Sequence, residues 1–182
     1  TRATHDDMSY IQCMSSQTGF DSYSDESWGI DDYIRSMQVD TGSDATLGFT
    51  DLEPYLRDSK RSKVQIHMVD KTNTIPCSRE GTLDAVVMNT AGYHDVNPTT
   101  PLSLPIITVP KLNRELLSVE KYYRDLKYDV IFGHDPTPCE MRRGDHRIPF
   151  RYDWDKGNFW MDYVPFSWSG VSDGKDALRN KA

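Results

Sequence analysis

Residues 37–47 read Met37-Gln38-Val39-Asp40-Thr41-Gly42-Ser43-Asp44-Ala45-Thr46-Leu47. They set one carboxylate at the end of an apolar strand, on a tight Asp-Thr-Gly turn. A carboxylate held rigidly in this way can take a proton from water as a general base. Hydrolysis by paired aspartates needs two of them, one ionised while the other keeps its proton. The triplet occurs once in 182 residues. The chain therefore carries half of such a site and needs a second copy for the other half, or its aspartate does something else. On these residues alone Asp40 also reads as an ordinary turn aspartate bonded to its own backbone.

Other chemistries find little support. No Gly-x-Ser-x-Gly elbow is present, so serine-nucleophile logic has no starting point. The three cysteines, Cys13, Cys77 and Cys139, are odd in number and widely spaced. They read as free thiols in a reducing, cytoplasmic setting and not as a disulfide framework. The five histidines show no close pair and no Cys-x-x-Cys occurs, so no metal and no cofactor is expected. A net charge of -7 argues against a nucleic-acid partner, which requires a basic stripe. No apolar run approaches the roughly 18 residues that span a bilayer, so no membrane partner is expected. Thr1 to Tyr10 is too polar for a signal peptide, and a chain opening on Thr reads as a piece of a longer one. With 37% hydrophobic residues and a mean hydropathy of -0.66, one core with two poorly ordered or partner-dependent flanks is expected.

The elements that must position Asp40 follow from pattern. Residues 1–29 carry Asp6, Asp7, Asp21, Asp25 and Glu26 against Arg2; they read as an acidic flexible arm that cannot fold alone. Residues 30–135 read as the folded unit. Met37–Asp40 is a strand. Thr50 reads as the N-cap of a helix with acids in its first turn and Pro54 early enough to be tolerated. Val64–Val69 is a strand by alternation, Asp70–Thr74 a turn, Ile75 the start of an extended segment that Gly81 bends, and Leu83–Met88 a strand. Residues 89–103 read as a long loop, carrying function or disordered. Leu104–Val109 is extended. Leu116, Val119, Tyr123 and Leu126 fall on one helical face, with Ser118 as N-cap and Glu120 in the first turn. Tyr128–Phe132 alternates as a strand. Residues 136–182 form an aromatic-rich extension, with Phe150, Tyr152, Trp154, Phe159, Trp160, Tyr163, Phe166 and Trp168. It serves as a docking surface or folds back over the unit before it.

Four segments in order carry a resemblance: the Asp40-Thr41-Gly42 turn; Thr74-Ile75-Pro76-Cys77-Ser78-Arg79-Glu80-Gly81-Thr82; Val109-Pro110-Lys111-Leu112-Asn113-Arg114-Glu115-Leu116-Leu117-Ser118-Val119; and Tyr128-Asp129-Val130-Ile131-Phe132. Over about residues 35–133 the chain resembles the retropepsin-like aspartic protease domain of copia-type retrotransposon polyproteins. It departs from that pattern in a turn closer to the retroviral form, a longer 89–103 loop, and the lack of downstream His/Cys zinc ligands.

The resemblance implies a mainly β fold, a retropepsin-like acid protease barrel with one helix near its C-terminal side and extended flanking arms. It implies a homodimer in which Asp40 meets Asp40 of a second chain, Thr41 braces the partner turn, and Gly42 lets the backbones approach. Asp44 binds a substrate backbone or forms a surface salt bridge; both stay open. Asp70, Lys71, Thr72, Asn73 and Thr74 become a flap closing over a peptide or polyprotein substrate, or are a plain exposed hairpin. Tyr128, Val130 and Phe132 lie at the dimer interface or pack internally. The setting implied is cytoplasmic, within virus-like particles. The rival is a non-catalytic retroelement-derived dimerisation or scaffold module; a third reading is a monomeric ubiquitin-pathway-type relative with the same turn.

Overall fold

The computed structural model of the protein describes residues 10–13, 33–68 and 73–166. The strands are β1 (Tyr10–Cys13), β2 (Arg35–Asp40), β3 (Leu47–Gly48), β4 (Arg57–Arg61), β5 (Gln65–Met68), β6 (Thr74–Pro76), β7 (Arg79–Met88), β8 (Thr99–Thr108), β9 (Glu115–Ser118), β10 (Asp129–Ile131), β11 (Glu140–Arg143), β12 (His146–Pro149), β13 (Arg151–Asp153) and β14 (Asn158–Phe166). Among the described residues an α-helix, α1, spans Val119–Leu126, and a 3-10 helix spans Thr50–Tyr55.

The fold is mainly β and closes into a barrel. β14, β2, β9, β3, β8 and β7 pair in that order, and β14 pairs back onto β7 to complete the ring. Closure leaves no open edge among these six strands. β4 and β13 extend the sheet outside the ring. Two smaller sheets run β10-β11-β12 and β1-β5-β6.

The barrel fills because its strands alternate. Along β8, Thr100, Leu102, Leu104, Ile106 and Thr108 are buried while Thr99, Pro101 and Ser103 face out, the period of two that a pleated strand imposes. Leu83, Leu104, Leu117, Met37, Met161 and Tyr163 meet in the main core at no exposure. Gly48 lies close against the core: a Cβ there would stand 2.7 Å from Ile106 Cδ1 and 2.8 Å from Leu52 Cδ1, so the ends of both side chains would have to shift.

Several expectations are corrected. The 89–103 loop shortens to 89–98, because β8 begins at Thr99. Pro101 and Pro105 are compatible with the strand since they share one parity, opposite Val86 and Thr82. At that parity the residue's N–H points away from the antiparallel partner, so its loss breaks no ladder bond. Thr50 is not a cap: Phe49 holds that position, without a side-chain cap bond. Leu116 belongs to β9 and packs in a second apolar cluster. On α1 the buried face is Val119 and Tyr122, while Tyr123 is 63% exposed. Ser118 does cap α1, its hydroxyl accepting from Lys121 N–H at 3.4 Å.

Tyr128 and Val130 pack internally: Tyr128 is buried, and Val130 lies against the main core on β10, which pairs with β11. Phe132 stacks on Phe150 and tilts against Phe159. The aromatic-rich stretch beyond 135 supplies β13 and β14, and β14 lies between β2 and β7. The boundary drawn at 135 thus cuts through one continuous barrel. Within the acidic arm, Tyr10–Cys13 forms β1, which pairs in parallel with β5; the rest of that arm, and residues 167–182 with Trp168, lie outside the described residues.

Candidate active site

Asp40 ends β2, and its position is fixed by the strand beside it. β2 runs parallel to β9, with Val39 opposite Leu117 and Asp40 opposite Ser118. The chain then turns through Thr41 and Gly42 and returns to the barrel as β3. Apolar Val39, Leu47, Leu116 and Leu117 anchor both sides of the turn in the two cores.

The turn is tied down by hydroxyls. Ser118 Oγ donates to Ser43 O at 2.5 Å. The Ser118 N–H donates to Thr46 Oγ1 at 3.1 Å, and Ser43 Oγ donates to Ala45 O at 2.6 Å. Ser43, Thr46 and Ser118 are all essentially without exposure. Buried hydroxyls that are fully paired rigidify their surroundings, so the backbone carrying Asp40 has little freedom.

Asp40 itself is 7% exposed. Its Oδ1 accepts the Gly42 N–H at 2.8 Å, while its Oδ2 is buried with no hydrogen-bond partner. Burial disfavours the carboxylate and raises its pKa above the ordinary range; the backbone N–H groups of Gly42 and Ser43 pull it partly back. The result is a carboxyl with one oxygen fixed, one oxygen unspent, and a raised proton affinity.

Thr41 is exposed beside it and Gly42 half-buried. Asp44 is half-buried, and its Oδ2 is also buried without a partner. Among the described residues Asp44 makes no ion pair, although Arg124 senses its charge. Asp40, Thr41, Gly42 and Asp44 are therefore gathered on one turn. Asn73 and Thr74 are exposed at the start of β6 and make no side-chain hydrogen bond to that turn. Asp70, Lys71 and Thr72 lie outside the described residues. The β5–β6 hairpin is linked to the turn through packing, since Ile66 and Ile75 share a cluster with Ala45 and Leu47.

Sequence reading missed Ser43 and Thr46 and saw in Ser118 only a helix cap. The signal for Ser118 was available in Leu116-Leu117-Ser118-Val119, but its partner at Ser43 depends on the β2–β9 pairing. Among the described residues no group of His, Cys, Asp and Glu is arranged to hold a metal. No helix there is long and apolar enough to cross a membrane. No family model, curated protein or solved structure matches the chain.

Proposed function

We propose that the protein is an aspartic endopeptidase of the retropepsin type, acting on a peptide or polyprotein substrate as a homodimer. The observation that supports this best is Asp40: a rigidly braced, desolvated carboxyl with one oxygen held by Gly42 N–H and the other unpartnered. An unsatisfied buried acceptor costs about 1–3 kcal/mol, and such a cost in a turn whose buried hydroxyls are paired suits a group reserved for chemistry. Two carboxyls about 3 Å apart share one proton. The ionised one takes a proton from water as the water attacks the peptide carbonyl; the protonated one gives its proton to the carbonyl oxygen. Breakdown of the tetrahedral intermediate then passes a proton to the leaving amine. Exposed Thr41 is where a partner turn would be braced.

The test is peptide hydrolysis and autoprocessing of a longer precursor by the wild type beside Asp40→Asn. Cleavage abolished in a variant with the wild-type fold and association state supports the reading. Undiminished cleavage removes Asp40 from the chemistry, and a wild type without hydrolysis favours a scaffold module on the same barrel.

A further inference from the structure

We propose that the groove on the outer face of β7 and β8, walled by α1 and the β10–β12 sheet, binds a long-chain carboxylate, with Arg143 as the residue that takes the acid group.

The groove follows from the alternation that fills the barrel. Side chains of β7 and β8 not used inside the barrel point outward, and the register sets Val86 opposite Pro101 and Asp84 opposite Ser103. Leu126 of α1 and Phe166 at the end of β14 line the same space. Its volume is about 600 Å³, inside the range of about 300–1,000 Å³ found for small-molecule sites. No residue of the Asp40 turn lines it.

Most of its polar groups are spent on the protein itself. Pro101 O can only accept. The neutral His146 ring therefore donates to it from Nε2 at 2.7 Å and accepts the Tyr128 hydroxyl at Nδ1, at 2.6 Å. The Tyr122 hydroxyl donates to Ser103 O at 2.9 Å. Asp84 receives Arg57 at 2.9 and 3.1 Å and the Ser103 hydroxyl at 2.7 Å, so its charge is compensated. Such walls offer a ligand mainly apolar surface.

Arg143 is the exception. Its Nη1 donates to Leu126 O at 2.9 Å, and its guanidinium carbon lies 4.9 Å from the centre of the Tyr128 ring, a cation–π contact. These two contacts hold the side chain at the groove. Among the described residues Arg143 faces no carboxylate, whereas Arg35, Arg57, Arg124, Arg142, Arg147 and Arg151 each do. A planar guanidinium with N–H groups unspent matches a carboxylate in charge and in shape. One such fork beside apolar walls selects a ligand with an aliphatic body and a single acid end. The inference does not rest on the reading of Asp40, and its test reads binding alone.

The probe is dodecanoate, titrated below its micelle concentration into the isotope-labelled full chain, with dodecanol as the neutral control. Amide shifts should centre on Val86, Leu126, Arg143 and His146. Arg143→Gln keeps much of the stem and removes the charge. It should weaken dodecanoate by about tenfold or more, the factor for a charged contact, and leave dodecanol unchanged. Val86→Trp fills the groove from β7 and should abolish binding of both. Unmoved Val39 and Leu117 amides show that each variant keeps the barrel. Three results overturn the proposal in the wild type: no saturable binding, shifts centred elsewhere, or groove shifts that change on dilution without ligand, which mean that a second copy covers the site. Dodecanoate affinity untouched by Arg143→Gln overturns it too, as does an equal loss for dodecanol, which would make the arginine merely structural.

Discussion

Ser118 holds the backbone that carries Asp40: the two residues are register partners across the parallel β2–β9 pair, and the Ser118 hydroxyl crosses to Ser43 O at 2.5 Å. The same oxygen accepts from Lys121 N–H at the start of α1. One hydroxyl thus closes both a turn and a helix end.

Replacing it tests that double duty. Ser118→Ala removes a helix cap and a buried hydrogen bond together, a loss of about 1–3 kcal/mol in unfolding free energy. Urea unfolding measures it. In the proposed enzyme kcat should fall as well, because the turn loosens. A loss under about 0.5 kcal/mol, the usual size for an ordinary surface change, contradicts the bracing role.

Asp40→Asn separates chemistry from stability. Loss of a general base should lower hydrolysis by about 10²–10⁴-fold or more. Stability should move the other way. Burial raises the folded pKa of Asp40 above its unfolded value, so the wild type loses stability as pH rises from the ordinary carboxylate range through that raised value. The asparagine variant has no such term. It should match the wild type at low pH and be as stable or more stable at neutral pH, read from thermal midpoints across the range. A variant less stable at neutral pH than at low pH, relative to wild type, would contradict the desolvation argument.

Activity should trace a bell against pH. The acid limb reports the carboxyl that must be ionised, and the upper limb the raised one that must keep its proton. Initial rates between acid and alkaline buffers check this. Activity that climbs steadily into alkali points to another nucleophile.

A half-site on each chain makes the proposed activity depend on concentration. Specific activity should fall on dilution as a C₂ dimer dissociates, and a tandem fusion of two copies should abolish the fall. Dilution-independent hydrolysis by the single chain would rule out the shared dyad.

Asp162 supplies a stability test away from the turn. It is 4% exposed and receives Arg151 at 2.8 and 3.0 Å, Ser36 at 2.5 Å, and the Thr90 hydroxyl. Burial acts to raise its pKa, but the hydrogen bonds from Arg151, Ser36 and Thr90 outweigh it and the net shift is downward. Its stabilisation is therefore complete above the ordinary carboxylate range and lost as pH falls from there through the lowered value. Asp162→Asn should cost about 1.5–3 kcal/mol at neutral pH, and the gap should close in strong acid. A gap independent of pH would mean that charge plays no part.

What the sequence disclosed was local. The Asp-Thr-Gly turn, the Ser118 cap, and the strands at 37–40 and 83–88 are written in short-range pattern, and all are present. What it hid was long-range. Thr99–Ser103 looked like loop because its outward positions are Thr, Pro and Ser, although Thr100 and Leu102 point inward. Tyr123 seemed a core residue because the 3.6-residue pattern was started at Leu116, which is strand. The helix frame shifts by one once α1 begins at Val119, and Tyr122 takes the core. For Asp40 the sequence disclosed the residue and its turn, while its unpartnered oxygen and the Ser43–Ser118 clasp depend on which strands become neighbours.

The closing strand has a consequence for how the chain comes into being. Ser36 on β2 meets Asp162 on β14 across 126 positions, so the ring cannot shut until almost all of the described chain has left the ribosome. Until then β2 and β7 each expose an edge that β14 will later cover, and an uncovered edge recruits strands from other chains. Folding through such distant pairing is slow. During synthesis this barrel is a candidate for chaperone capture, and a product that ends before Asn158, and so lacks β14, would be prone to aggregate.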